Sequence, residues 1–78
     1  MDMKYYVIKG MKTIYEGICD KDNHNIVNYY RPQPDGTFAS RSVEDKQIGF
    51  EVDLARKQKK LVSFPNLQMA INYVNAKK

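Results

Sequence analysis

Two pairs of adjacent tyrosines, in KYYVIK (4–9) and NIVNYYR (25–31), constrain this chain more than any other feature. Both segments are rich in β-branched and aromatic residues and read as strands. Side chains alternate between the two faces of a sheet, so Tyr5 and Tyr6 point in opposite directions, as do Tyr29 and Tyr30. A sheet built from these segments carries large aromatic groups on both sides. One covering layer satisfies only one of them.

The rest of the chain supplies further strands and one clear helix. TIYEGIC (13–19) follows KYYVIK across a short gap at Gly10 and predicts a hairpin. DKDN (20–23) is a turn by composition, and PQPDG (32–36) is the strongest breaker. TFASRS (37–42) reads as an edge strand and LVSF (61–64) as a last short one. Over 47–55, Ile48, Phe50, Val52 and Leu54 alternate with Gly49, Glu51, Asp53 and Ala55, which predicts a strand. Ser42 followed by Asp45 is a competing helix-start signal. RKQKK (56–60) is a charged turn. Near the end, Leu67, Ala70, Ile71 and Val74 fall at i, i+3, i+4 and i+7, one apolar helix stripe, with Asn66 or Ser63 as N-cap. The expected fold is α+β: a mainly antiparallel sheet of five to six strands with one C-terminal helix packed on one face.

A chain of 78 residues is expected to form a single domain, 1–78, with no second domain or linker. At this size only roughly 60% of the unfolded surface is buried, so the core is marginal. Cys19 is the only cysteine, which rules out an intrachain disulfide and fits a reducing compartment. No apolar run approaches the roughly 18 residues of a membrane span, and MDMKYYVIKGM lacks a signal-peptide core. The expectation is a soluble, cytoplasmic protein, stabilised by association with a partner or with itself.

With Tyr6, Ile8, Ile14, Ile18, Ile26 and Tyr30 facing the helix, the opposite face receives Tyr5, Val7, Tyr15, Cys19, Val27 and Tyr29. That second face is not polar, as an exposed antiparallel face would be. Tyr5, Val7, Tyr15, Val27 and Tyr29 are therefore candidate partner-binding residues, joined by Met69 and Tyr73 on the helix. A helix over 43–60 would instead cover this face.

Charge is uneven. Net charge is +4, yet all nine acids lie in 1–55, and 56–78 carries six cations and no acid. Lys9, Lys12, Arg31, Arg56, Lys57, Lys59 and Lys60 are candidate phosphate contacts, and tyrosines beside them could stack on unpaired bases. Asp20 and Asp22 oppose an anion.

Chemistry-bearing motifs are weak. Asp20, Asp22 and His24 alternate beside Cys19. Asn25 stands where a calcium loop needs glycine and Arg31 where it needs glutamate, and zinc wants more cysteine or histidine. Cys19 and His24 could face each other across the hairpin, but no third orienting group accompanies them. RPQP (31–34) lacks the P-x-x-P pattern. No metal, cofactor, small-molecule substrate or enzymatic activity is expected. KYYVIKG and SFPNLQMAINYVN resemble the two ends of the hybrid-binding domain found at the start of some ribonucleases H and in viroplasmin-type proteins. The tryptophan and cysteine helix that family carries between them is missing here, so its hybrid binding is not carried over. The expected function is a small protein-interaction or regulatory module that uses the tyrosine-rich face or an edge strand to bind a protein partner or itself. The alternative is a basic nucleic-acid-binding module built on 56–60 and exposed tyrosines.

Overall fold

The structure, a computed structural model, describes residues 3–10, 12–20 and 23–76. In chain order these form β1 (Met3–Lys9), β2 (Thr13–Asp20), β3 (Asn23–Pro32), β4 (Phe38–Ser42), α1 (Lys46–Lys57), β5 (Val62–Phe64) and α2 (Leu67–Ala76). The strands make one five-stranded sheet in the order β4-β3-β2-β1-β5. Every neighbouring pair is antiparallel. The architecture is α+β.

The register arranges side chains in rows across the sheet. Ile8, Ile14, Tyr30 and Ser40 form one row, and Tyr6, Glu16, Asn28 and Ser42 the next. These share a face. On it, Tyr6, Ile8 and Ile14 cluster with Ala70 and Val74 of α2, and Tyr30, Phe38, Phe64, Leu67, Ile71 and Tyr73 pack around them. Asn66 starts α2 by accepting the Met69 N–H on its side-chain oxygen (2.9 Å). The other face carries the row Val7, Tyr15, Tyr29, Arg41 and the pair Tyr5, Gly17.

The strand expected over 47–55 is not formed. The segment is helix α1, so the fold has two helices rather than one. Asp45 caps its start, with Oδ1 accepting the Gln47 N–H at 2.9 Å. Its end is a Schellman motif: Lys60 N–H bonds the Ala55 carbonyl and Lys59 N–H the Arg56 carbonyl. Lys59 takes the left-handed position (φ 60°) usually filled by glycine. The helical stripe that faces the sheet is Gly49, Val52, Asp53 and Arg56, again at i, i+3, i+4 and i+7. Only one of the four is a large apolar residue, which is why hydrophobic periodicity pointed to a strand.

α1 lies on the tyrosine face. Val7 and Val52 are almost wholly buried there, each worth about 1.5–3 kcal/mol of apolar burial. Tyr5 crosses over Gly17, its partner on β2, so closely that a Cβ at 17 would run into the ring. The Tyr5 hydroxyl then donates to Asp53 Oδ1 (2.9 Å), and the Arg56 guanidinium stacks on the ring, 4.2 Å from its centroid. Gly49 allows an equally close approach: a Cβ there would stand 3.3 Å from the Ile26 Cβ.

Ile26 itself corrects the sequence assignment of faces. A bulge between Glu16 and Gly17 sets Glu16 opposite Asn28 but Gly17 opposite Ile26, leaving Val27 as the extra residue. The one-residue shift moves Ile26 from the face of Tyr30 to the face of α1.

Two outcomes follow. Gly17→Ala should destabilise the protein by roughly 1–3 kcal/mol through overpacking against Tyr5. In urea unfolding the same change should cost far less in a Tyr5→Ala background, because the two groups share one space. Lys59→Gly should raise stability by roughly 1 kcal/mol by removing a left-handed β-carbon, read as a higher urea midpoint at unchanged slope.

Candidate partner-binding surface

α1 covers only the middle of the tyrosine face. Among the tyrosines of that face, Tyr5 is held under the helix, and Val7 is inaccessible to any partner. This is the coverage that a helix over 43–60 implies, and it corrects the open surface drawn from the strand assignment. Tyr15 and Tyr29 remain half-buried beside the helix, with ring centroids 6.1 Å apart. They floor a groove of about 520 Å³ whose wall includes Arg31, Arg41, Val43 and Ile48. On the other flank of α1 lies a second groove of about 620 Å³, lined by Ile26, Val27, Val43, Lys46 and Phe50 among others.

The helix leaves apolar side chains in water on both flanks. Phe50 is 64% exposed, Leu54 43% and Ile48 37%. Residues spaced by two along a helix are about 200° apart, so an alternating apolar pattern scatters around the cylinder instead of gathering on one face. Phe50 and Leu54, four apart, share one flank. Ile48 stands on the other, at the lip of the Tyr15–Tyr29 groove. None of these three nor Arg41 was expected as a binding residue from the sequence. The helix-start signal at Asp45 was the clue that could have exposed them.

The remaining sequence candidates are dispersed. Val27 is half-buried in the second groove. Met69 is exposed on α2, whereas Tyr73 packs against Phe64 with centroids 5.5 Å apart. Lys9 and Lys12 are exposed at the β1–β2 end of the sheet. Arg31 lies over the Tyr29 ring, 5.2 Å from its centroid. Arg56 and Lys57 both bond Asp53, at 2.9 and 3.3 Å, while Lys57, Lys59 and Lys60 are all exposed. Lys77, Lys78 and Asp22 lie outside the described residues. Cys19 and His24 are register partners across β2 and β3. Among the described residues no group of three or more histidines, cysteines or acids could hold a metal ion, and no helix is long and apolar enough to cross a membrane.

Two buried carboxylates sit on opposite faces of the sheet. Glu16 accepts from the Tyr6 hydroxyl (2.8 Å), the Asn28 amide (2.8 Å) and the Tyr30 hydroxyl (3.3 Å). Burial by itself would raise its pKa, but the bonds from Asn28 and Tyr6, the Lys4 charge and the Tyr30 bond together hold it below its ordinary value. Asp53 is likewise desolvated, and the bonds from Arg56, Tyr5 and Lys57 bring it below its ordinary value. Their tyrosine partners move the other way. Burial, then the bond to Glu16, pushes Tyr6 up to about 12, and Tyr5 rises through burial and Asp53.

The pH dependence follows in sign. A carboxylate with a lowered folded pKa adds stability above its unfolded pKa and loses it as pH falls through the folded one. Stability should therefore fall as pH drops below the ordinary values of 4.5 for Glu16 and 3.8 for Asp53. Glu16→Gln should flatten the upper part of that decline in urea unfolding at stepped pH. A wild-type slope retained by the variant would contradict it.

No family model, curated protein or solved structure matches the chain.

Proposed function

We propose that this protein is a non-enzymatic interaction module that binds a protein partner, or a second copy of itself, along the apolar flanks of α1. The observation that carries this is the exposure of Ile48, Phe50 and Leu54 on one helix, with Ile48 and Phe50 each lining a groove in which a partner side chain can be buried. A single exposed apolar residue is ordinary, but several on a short helix of so small a domain mark a surface that gains by being covered. Aromatic groups in such a position supply most of the binding energy of protein interfaces. The lone cysteine favours a reducing, cytoplasmic setting.

The two buried carboxylates support a non-enzymatic role. Glu16 and Asp53 are saturated by hydrogen bonds, their pKa values are lowered, and the sheet separates them, so neither suits general-base chemistry or a paired-carboxylate mechanism. The alternative of a nucleic-acid-binding module built on 56–60 is less favoured, because Arg56 and Lys57 are already engaged by Asp53.

The test is site-specific photo-crosslinking in the cells that make the protein. A photoreactive phenylalanine analogue at position 50 or 54 should give a discrete protein adduct, and the same analogue at Gln68 on α2 should not. Adducts no stronger at 50 and 54 than at 68 would sink the proposal. Sedimentation of the purified protein over a dilution series separates a second copy from a different partner. Phe50→Ser should abolish the adduct-forming association while changing unfolding free energy by less than about 0.5 kcal/mol, as for other exposed positions.

A further inference from the structure

The outer edge of β4 carries an inference that does not depend on the flanks of α1. β4 ends the sheet on one side and contains no proline. Its last pairing to β3 extends to Val43, whose N–H bonds the Val27 carbonyl (2.9 Å). Backbone groups alternate in direction along an antiparallel strand. With Val43 turned inward, the main-chain groups of Arg41 and Ala39 face β3, and those of Phe38, Ser40 and Ser42 face the open edge.

Two arginines stand on the α1 side of this edge. Tyr29 pairs with Arg41 and Arg31 with Ala39, so Arg31 and Arg41 share a face as diagonal neighbours, about 7–8 Å apart at their backbones. Among the described residues neither has a carboxylate within ion-pair distance. Arg31 rests on the Tyr29 ring. Between them is a concavity of about 320 Å³ lined by Tyr29, Arg31, Pro32, Gln33, Ala39 and Arg41, with no acid in its wall. Glu44 and Asp45 line the adjoining groove, whose wall Arg31 and Arg41 share, and Asp45 is occupied by the Gln47 N–H.

We propose that β4 is the docking edge for an extended acidic segment of a partner protein, which adds as a sixth strand and sets its carboxylates on Arg41 and Arg31. Alternate residues of an added strand fall on one face, so glutamate or aspartate at every second position meets the two guanidiniums. Tyr29 supplies an apolar floor for the acidic side chains' methylenes. A second copy is the wrong occupant: antiparallel pairing of β4 with itself brings both Arg41 side chains and both Arg31 side chains onto one face, and like charges at such positions repel. The same charges that turn away self-pairing select an acidic strand.

The test uses the whole protein and a labelled peptide of roughly ten residues alternating glutamate with threonine. Anisotropy should show binding that weakens with salt, and amide shifts should centre on 38–43. A glutamine–threonine peptide should not bind. Arg41→Gln and Arg31→Gln should each weaken affinity about ten-fold, and Phe50→Ser should leave it unchanged. Ser40→Pro removes an outward N–H and should abolish binding. A peptide N-methylated at alternate residues should also fail, which keeps the edge requirement testable even if that variant does not fold. No binding at low salt, equal binding by the arginine variants, or binding by the N-methylated peptide would each overturn the proposal. So would an oligothymidylate that binds more tightly than the peptide through the same two arginines.

Discussion

The placement of α1 depends on Tyr5 lying across a strand that has no side chain beneath it. The ring passes over Gly17, reaches Asp53 with its hydroxyl, and carries Arg56 on its outer face. Three separate constraints meet in that one side chain. Gly17 opens the space, Asp53 fixes the direction, and Arg56 closes the stack while neutralising Asp53. A helix whose sheet-facing stripe is Gly49, Val52, Asp53 and Arg56 has little apolar area to hold it down. Polar anchoring replaces part of what hydrophobic burial ordinarily provides. It does so in a site where the charge is paired and hydrogen-bonded, the condition under which a buried carboxylate is tolerated.

The opposite face solves a similar problem differently. Glu16 is buried, has no ion pair among the described residues, and is satisfied by Tyr6, Asn28 and Tyr30, all on the same side of the sheet. Tyr6 thus contributes its ring to the apolar cluster and its hydroxyl to the carboxylate. The two adjacent tyrosines that opened the problem have parallel roles: each spans one face and bonds a buried acid there. Neither hydroxyl is left for an outside partner. The surface to which binding is proposed comes from the helix that covers Tyr5, and from the β4 edge beyond its reach.

Much of the fold was legible. The strands follow from β-branched and aromatic segments bounded by Gly10, DKDN and PQPDG, and α2 follows from Leu67, Ala70, Ile71 and Val74 behind Asn66. α1 was misjudged because Ile48, Phe50, Val52 and Leu54 alternate as strand residues do, and only Val52 is buried. The cost of that pattern in a helix is exposed apolar surface, which is the reason the candidate site was invisible in the sequence. Ile26 was placed on the wrong face because a single bulge at Glu16/Gly17 inverts the parity of everything beyond it. Period-two reasoning cannot detect an extra residue within a strand.

By itself the sequence determined the strand segments, the C-terminal helix and the fact that both faces of the sheet need cover. Those properties are local: they depend on residue type, alternation and breakers within a few positions. Only the tertiary structure decided what provides the second cover, which tyrosine hydroxyls are consumed, and which apolar and cationic groups remain outside. Each of these depends on contacts between residues far apart in the chain, Tyr5 with Asp53 and Ile26 with Gly49 above all. A helix with a weak apolar stripe gains its stability from such contacts and not from its own pattern.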